Sequence, residues 1–106
     1  MKFGITVSQI NEVDLVVQAE NAGYDFCWVW DSPMIRSNLW ALLALVAERT
    51  SRISIGPGVA IPALSMAPVT ANAIATINAI APGRTFLGVG TGNTALRAMG
   101  QVPMTI

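Results

Sequence analysis

Apolar residues recur along this chain with two periods, and the two alternate. Lys2 to Ser8 shows an every-other-residue pattern; Ile10, Val13, Val16 and Val17 with Leu15, Ala19 and Ala22 then wrap an apolar face around a helix closed by Gly23. The pair repeats. Tyr24 to Trp30 is aromatic and β-branched and stops at Asp31-Ser32-Pro33, after which Ser37 or Asn38 is placed to cap a helix carrying Leu39, Leu42, Leu43, Val46 and Ala47. Arg52 to Ile61 reads as a third strand. It is followed by a helix with Pro68 in its first turn, Val69, Ala73, Ile77 and Ile80 on one side, and Pro82-Gly83 as its stop. Thr85 to Gly90 reads as a fourth strand, and Thr91 to Thr94, with Thr94 a candidate cap, leads into "ALRAMG", the start of a fourth helix with no capping element after it.

Strands alternating with helices predict right-handed crossovers and a parallel sheet. Two α/β architectures fit: a small doubly wound sheet, complete as it stands, or a (β/α)8 barrel, which needs about 250 residues. Composition separates them. Only 11% of the 106 residues are charged and 53% are hydrophobic, against about 25% charged in an ordinary soluble domain. A folded 11.2 kDa monomer exposes roughly 5,700 Å² by the usual scaling, and twelve ionisable side chains are few to dress it. The expectation is a single partial domain over residues 1–106, the N-terminal half of a barrel with about four βα units, its strands adjacent in the order 1-2-3-4. The barrel's remaining half, or a second copy in a homo-oligomer, would cover the exposed inner strands and sheet edges.

Charge and side-chain inventory then narrow the chemistry. Six basic and six acidic residues cancel, so no basic patch for nucleic acid and no polybasic segment for anionic lipid is expected. There is no histidine and one cysteine, Cys27, in the apolar run "DFCWVW"; a disulfide framework, a zinc site and a Ser/His/Asp relay all fall away, and no metal site is expected. The N-terminal segment lacks a signal-peptide core, and the most apolar run, Leu39 to Ala47, is about half the ~20 residues a membrane span requires. A cytoplasmic location is expected.

Gly56, Pro57 and Gly58 interrupt the third strand before Val59-Ala60-Ile61 resumes it. Glycine inside a strand marks a bulge, a bend or a close approach to the backbone. "LGVGTGN" has its glycines spaced G-x-G-x-G, which matches neither the dinucleotide fingerprint nor a P-loop; small residues for barrel curvature explain it as well as a ligand does. Trp28 and Trp30 share a strand face and read as core.

The runs "ALLALVAERTSRISIGPGV" and "IAPGRTFLGVGTGNTALRAMG" resemble the luciferase-like monooxygenase superfamily, flavin- or deazaflavin-dependent oxidoreductases on a (β/α)8 barrel, and the second run is most similar to the methylenetetrahydromethanopterin reductase branch. The resemblance implies a bulge with a non-prolyl cis peptide at Gly58–Val59, set against the ring of FMN or the deazaflavin coenzyme F-420. It implies an acidic residue near that ring, which Asp31 matches as the one catalytic candidate. Ser8, Gly90, Thr91 and Asn93, at the C-terminal ends of the first and fourth strands, are the further cofactor-binding candidates. Two positions depart from the sugar-phosphate dehydrogenase relatives: Ser32 stands where they carry histidine and Asn93 where they carry glutamate. The implied activity is hydride transfer or oxygen chemistry on a small-molecule substrate. The competing expectation is a catalytically silent half-barrel that binds flavin or only self-associates.

Overall fold

The computed structural model describes residues 1–105. Three strands, β1 (Gly4–Val7), β2 (Phe26–Val29) and β3 (Ser54–Pro57), form a parallel sheet in the order β1-β2-β3. The order β1-β2-β3 is common to a 3-2-1-4 doubly wound sheet and to a barrel; the fourth segment, which bridges to the third strand at Ile55 and Ala60 and not to the first, makes these consecutive barrel staves. The helices are α1 (Val13–Asn21), α2 (Leu39–Arg49), α3 (Ala67–Ile80) and α4 (Asn93–Ala98).

Local chemistry accounts for the helix ends. Asn38 caps α2, its Oδ1 accepting from the amides of Trp40 at 3.1 Å and Ala41 at 3.0 Å. Beyond α1, Gly23 takes φ 89°, and the amides of Gly23 and Tyr24 return to the carbonyls of Glu20 and Ala19, the double bond of a glycine-terminated helix. The same device closes α4: Gly100 has φ 71°, and the amides of Gly100 and Gln101 return to Arg97 and Leu96. The fourth helix is therefore capped, contrary to the sequence reading, and its N-cap is Gly92 at φ 68°, not Thr94.

The outer face of the sheet and the helices share the core. Val7, Cys27, Val29, Ile53 and Ile55 meet Val16, Leu42, Leu43, Val46 and Ile77 there. Burial pushes the Cys27 thiol up to about 12, so it behaves as a small hydrophobe. Of the apolar positions read on α3, Ile77 is buried but Val69 and Ile80 lie exposed. The inner face is built differently: Phe26, Trp28 and Phe86 cluster with ring centroids 5.5–6.4 Å apart. These rings lie where glycines leave room. A Cβ on Gly4 would overlap the Trp28 ring, one on Gly56 would strike Phe86, and one on Gly58 would come within 2.8 Å of Trp28 Cβ and Cδ1.

The fourth strand is not continuous. Thr85 and Val89 make isolated parallel bridges to Ile55 and Ala60, which places the segment beside β3 as the barrel order requires. The third strand advances five positions between those bridges while its partner advances four. That extra residue is a bulge, and it breaks the ladder that would otherwise make Thr85–Val89 a regular strand. The Gly58–Val59 peptide inside it is cis. The chain exposes 6165 Å², more than the roughly 5,700 Å² of a closed globule of this mass, because the aromatic inner face and the sheet edges stay open.

Candidate functional site

All three strands deliver their C-terminal ends to one rim, and the bulge sits on it. A cavity of about 240 Å³ there is lined by Trp30, Asp31, Ser32, Gly58, Val59, Ile61 and Thr94. β2 ends at Val29, so Trp30 and Asp31 leave the sheet at the rim. Gly58 remains tied to β2 through its amide, which donates to Val29 O at 2.9 Å. Val59 is 38% exposed.

Asp31 is the one ionisable residue lining this cavity. Its Oδ2 accepts from the Ile61 amide at 3.1 Å. Burial raises its carboxyl above the usual 3.8, and the Ile61 bond pulls the other way. The ring of Trp30 is half open, with the Arg36 guanidinium 5.6 Å from its centroid. Neither tryptophan joins the core: Trp28 is half-buried against Phe26 and Phe86 on the inner face, and Trp30, one residue past the strand, is left exposed apart from the Arg36 guanidinium.

Asp31, Gly58 and Val59 thus come together, and the other candidates sit apart from them. Gly90 and Thr91 border a separate cavity of about 490 Å³ with Pro62, Val89, Met104 and Thr105. A Cβ on Gly90 would meet Val59 Cγ2 at 2.5 Å, so its glycine keeps the wall between the two cavities thin. Ser8 is buried; its amide donates to Glu12 Oε2 at 2.6 Å and its carbonyl accepts from the Ser37 amide. Asn93 is exposed, and its Oδ1 accepts from Arg97 Nε at 2.7 Å. Thr94, weighed in the sequence both as a helix cap and as a donor beside Thr91 and Asn93, is in the lining, and Trp30, Ser32 and Ile61 complete it without having been among the cofactor-binding candidates. Only Trp30 carried a usable signal, since period two continued past the end of β2 aims it at the inner rim.

The luciferase-like monooxygenase profile matches residues 6–104. The chain belongs to that family. Among its relatives is the 5,10-methylenetetrahydromethanopterin reductase of Archaeoglobus fulgidus, 39% identical over 97 residues that cover 88% of this chain and 29% of the relative. An F420-dependent glucose-6-phosphate dehydrogenase of Kineococcus radiotolerans is 42% identical over 87 residues, 74% of this chain and 26% of the relative. In three dimensions the coenzyme F420 dependent tetrahydromethanopterin reductase from Methanopyrus kandleri superposes with a TM-score of 0.84 at 30% identity, covering 93% of this chain and 30% of that one. The chain spans less than a third of the length of these family members. Within the family fold it is an α/β barrel segment, and the rim just described is the active face of such barrels. No helix among the described residues is long and apolar enough to cross a membrane.

Proposed function

We propose that this chain is the N-terminal part of a flavin- or deazaflavin-dependent oxidoreductase, with Asp31, Gly58 and Val59 bordering the coenzyme's ring. The observation that carries the reading is the bulge at Gly58–Val59, on the C-terminal rim and beside the sole carboxylate of the cavity.

The residues fit a ring edge and not a whole coenzyme. At about 240 Å³ the cavity is smaller than the roughly 300–1,000 Å³ of a small-molecule site, and its lining holds no lysine or arginine for a phosphorylated tail. The bulge offers backbone where a regular strand would offer side chains. Gly90 adds no bulk behind Val59, and the Ser32 and Thr94 hydroxyls supply neutral donors. Trp30 forms one side of the cavity, its ring half open. Gly90 and Thr91 border the path toward the coenzyme's tail, whereas Ser8 is engaged through its backbone with Glu12 and Ser37 and Asn93 with Arg97 within α4. The coenzyme, when bound, supplies the redox chemistry, which leaves positioning and exclusion of water to the protein. A chain without histidine suffices for that. The remainder of the barrel supplies the tail-binding cations and the other wall of the substrate site.

The test is a chimera in which this chain replaces the matching segment of the Archaeoglobus fulgidus reductase. The folded chimera is expected to bind coenzyme F420 or FMN, read by fluorescence titration. A chimera with a cooperative melt that binds neither would overturn the proposal and favour the silent half-barrel.

A further inference from the structure

The ladder between β2 and β3 outlasts the backbone of β2. Ser54 N–H donates to Asp25 O and Gly58 N–H to Val29 O, both at 2.9 Å, and each donor lies 29 residues after its acceptor. The next step along the same edge is Ile61 N–H to Asp31 Oδ2, 30 residues apart. The additional residue is the bulge already seen from the Thr85–Val89 side. The acceptor at this rung is a side chain, because the main chain of β2 has turned away after Trp30, whose own amide goes to Val7 O. Ile61 is 4% exposed, so its N–H has no ready access to water, and a buried amide without an acceptor is costly. On the other side of the bulge, Ala60 N–H is held by Gly88 O at 2.8 Å. Asp31 and Gly88 therefore grip adjacent residues from opposite sides, just after Val59.

We propose that Asp31 is a positioning residue: its Oδ2 stands in for the missing ladder carbonyl, holds Ile61, and so fixes the strand exit that carries Gly58–Val59 at the floor of the cavity. The carboxylate acts through the bulge and not as the group exchanging protons with substrate. The raised carboxyl is consistent with a group placed for geometry in a site that does not favour its charge. The link to coenzyme binding rests on the function proposed above; the link to Ile61 does not.

Two readouts separate these. Amide hydrogen exchange on the chain itself compares Asp31→Ala, which removes the acceptor, with Asp31→Asn, which keeps a carbonyl oxygen in its place. Ile61 exchange should accelerate about tenfold or more in the alanine variant and stay within about threefold in the asparagine variant. Should the alanine variant fail to fold, Asp31→Ser, too short to reach Ile61, takes its place. In the chimera, coenzyme F420 affinity should fall about tenfold with alanine and be largely recovered with asparagine. Unchanged Ile61 exchange in the alanine or serine variant overturns the proposal. So does an asparagine variant that keeps Ile61 protected yet binds coenzyme as poorly as alanine, since the charge would then act directly. A wild-type chimera that binds no coenzyme sinks the proposed function alone, and the exchange result still decides the role of Asp31.

Discussion

The two rims of the sheet are held by opposite means. At the N-terminal rim a carboxylate and a guanidinium are saturated with hydrogen bonds. Glu20 accepts from three consecutive amides, Ser51 at 3.1 Å and Arg52 and Ile53 at 2.7 Å, and Arg52 also donates to the Glu20 carbonyl. Arg84 donates to the carbonyls of Ala47, Thr50 and Ile53 and to the Thr50 hydroxyl at 2.6–3.0 Å. At the C-terminal rim the one cavity-lining carboxylate has a single bond, to Ile61. The contrast shows in their ionisation. Burial raises the Glu20 carboxyl, but the bonds from Ile53, Arg52 and Ser51 and the Arg52 charge outweigh it and leave the group below its usual 4.5. At Asp31 burial wins. One rim spends its polar groups on stability, and the other, though Glu12 takes the Ser8 and Gln9 amides there, leaves the carboxylate of its cavity singly bonded, in keeping with a barrel whose chemistry lies at the C-terminal face.

If that division is right, the largest loss of stability should come from the lower rim. Glu20→Ala strips the acceptor from three amides, one of them on buried Ile53. It is expected to cost about 3 kcal/mol, a fall of more than about 10 °C in a melt followed by circular dichroism. A loss under about 1 kcal/mol would mean the rim is not where stability resides.

The upper rim should respond less. Gly58→Val drives a Cβ to within 2.8 Å of Trp28 Cβ and Cδ1, an overpacking that costs about 1–3 kcal/mol. The contact shifts part of the burden of this glycine from coenzyme to core, so stability and coenzyme affinity are both expected to drop, in thermal melts and in titration of the chimera. Unchanged stability with lost affinity would place the requirement for glycine in the ligand alone.

The smallest effect sets the two carboxylates against each other. Glu20, held below its unfolded value, contributes stability that is present above that value and is lost as pH falls through the folded one. Asp31, held above its unfolded value, contributes most below 3.8 and loses that contribution as pH rises through the folded value. Between about pH 3 and pH 6, the stability of wild type relative to Glu20→Gln should therefore grow with pH, while that relative to Asp31→Asn should shrink. Melts across that range check both signs, and parallel trends would refute the contrast.

Much of the upper rim could be read in the sequence because its signals are local. Gly56-Pro57-Gly58 announces a broken strand, and Asp31-Ser32-Pro33 announces a strand end. Asn38 and Gly23 mark helix ends for the same reason. The lower rim could not be read this way. Glu20 reaches amides 31 to 33 residues away, and nothing around it distinguishes it from any helical glutamate. Asp31 stands out in the sequence as a strand-end residue, but its partner lies past the bulge that follows β3, 30 residues on. The fourth segment read as a strand from its apolar residues. Its failure to pair throughout follows from a bulge in its neighbour, a property of β3 that no pattern within Thr85–Val89 could carry.

Arg84 has a consequence in time as well as in energy. Its acceptors lie 31 to 37 residues earlier in the chain, at the end of α2 and the entry to β3. A ribosome adding about 5–20 residues per second takes roughly 2–7 s to travel from Thr50 to Arg84. Throughout that interval the first two βα units are already made, while the guanidinium that the carbonyls of Ala47 and Thr50 will receive does not yet exist. Glu20 can take the amides at the entry to β3 as soon as Ile53 is made, but the end of α2 waits for a single side chain to be synthesised.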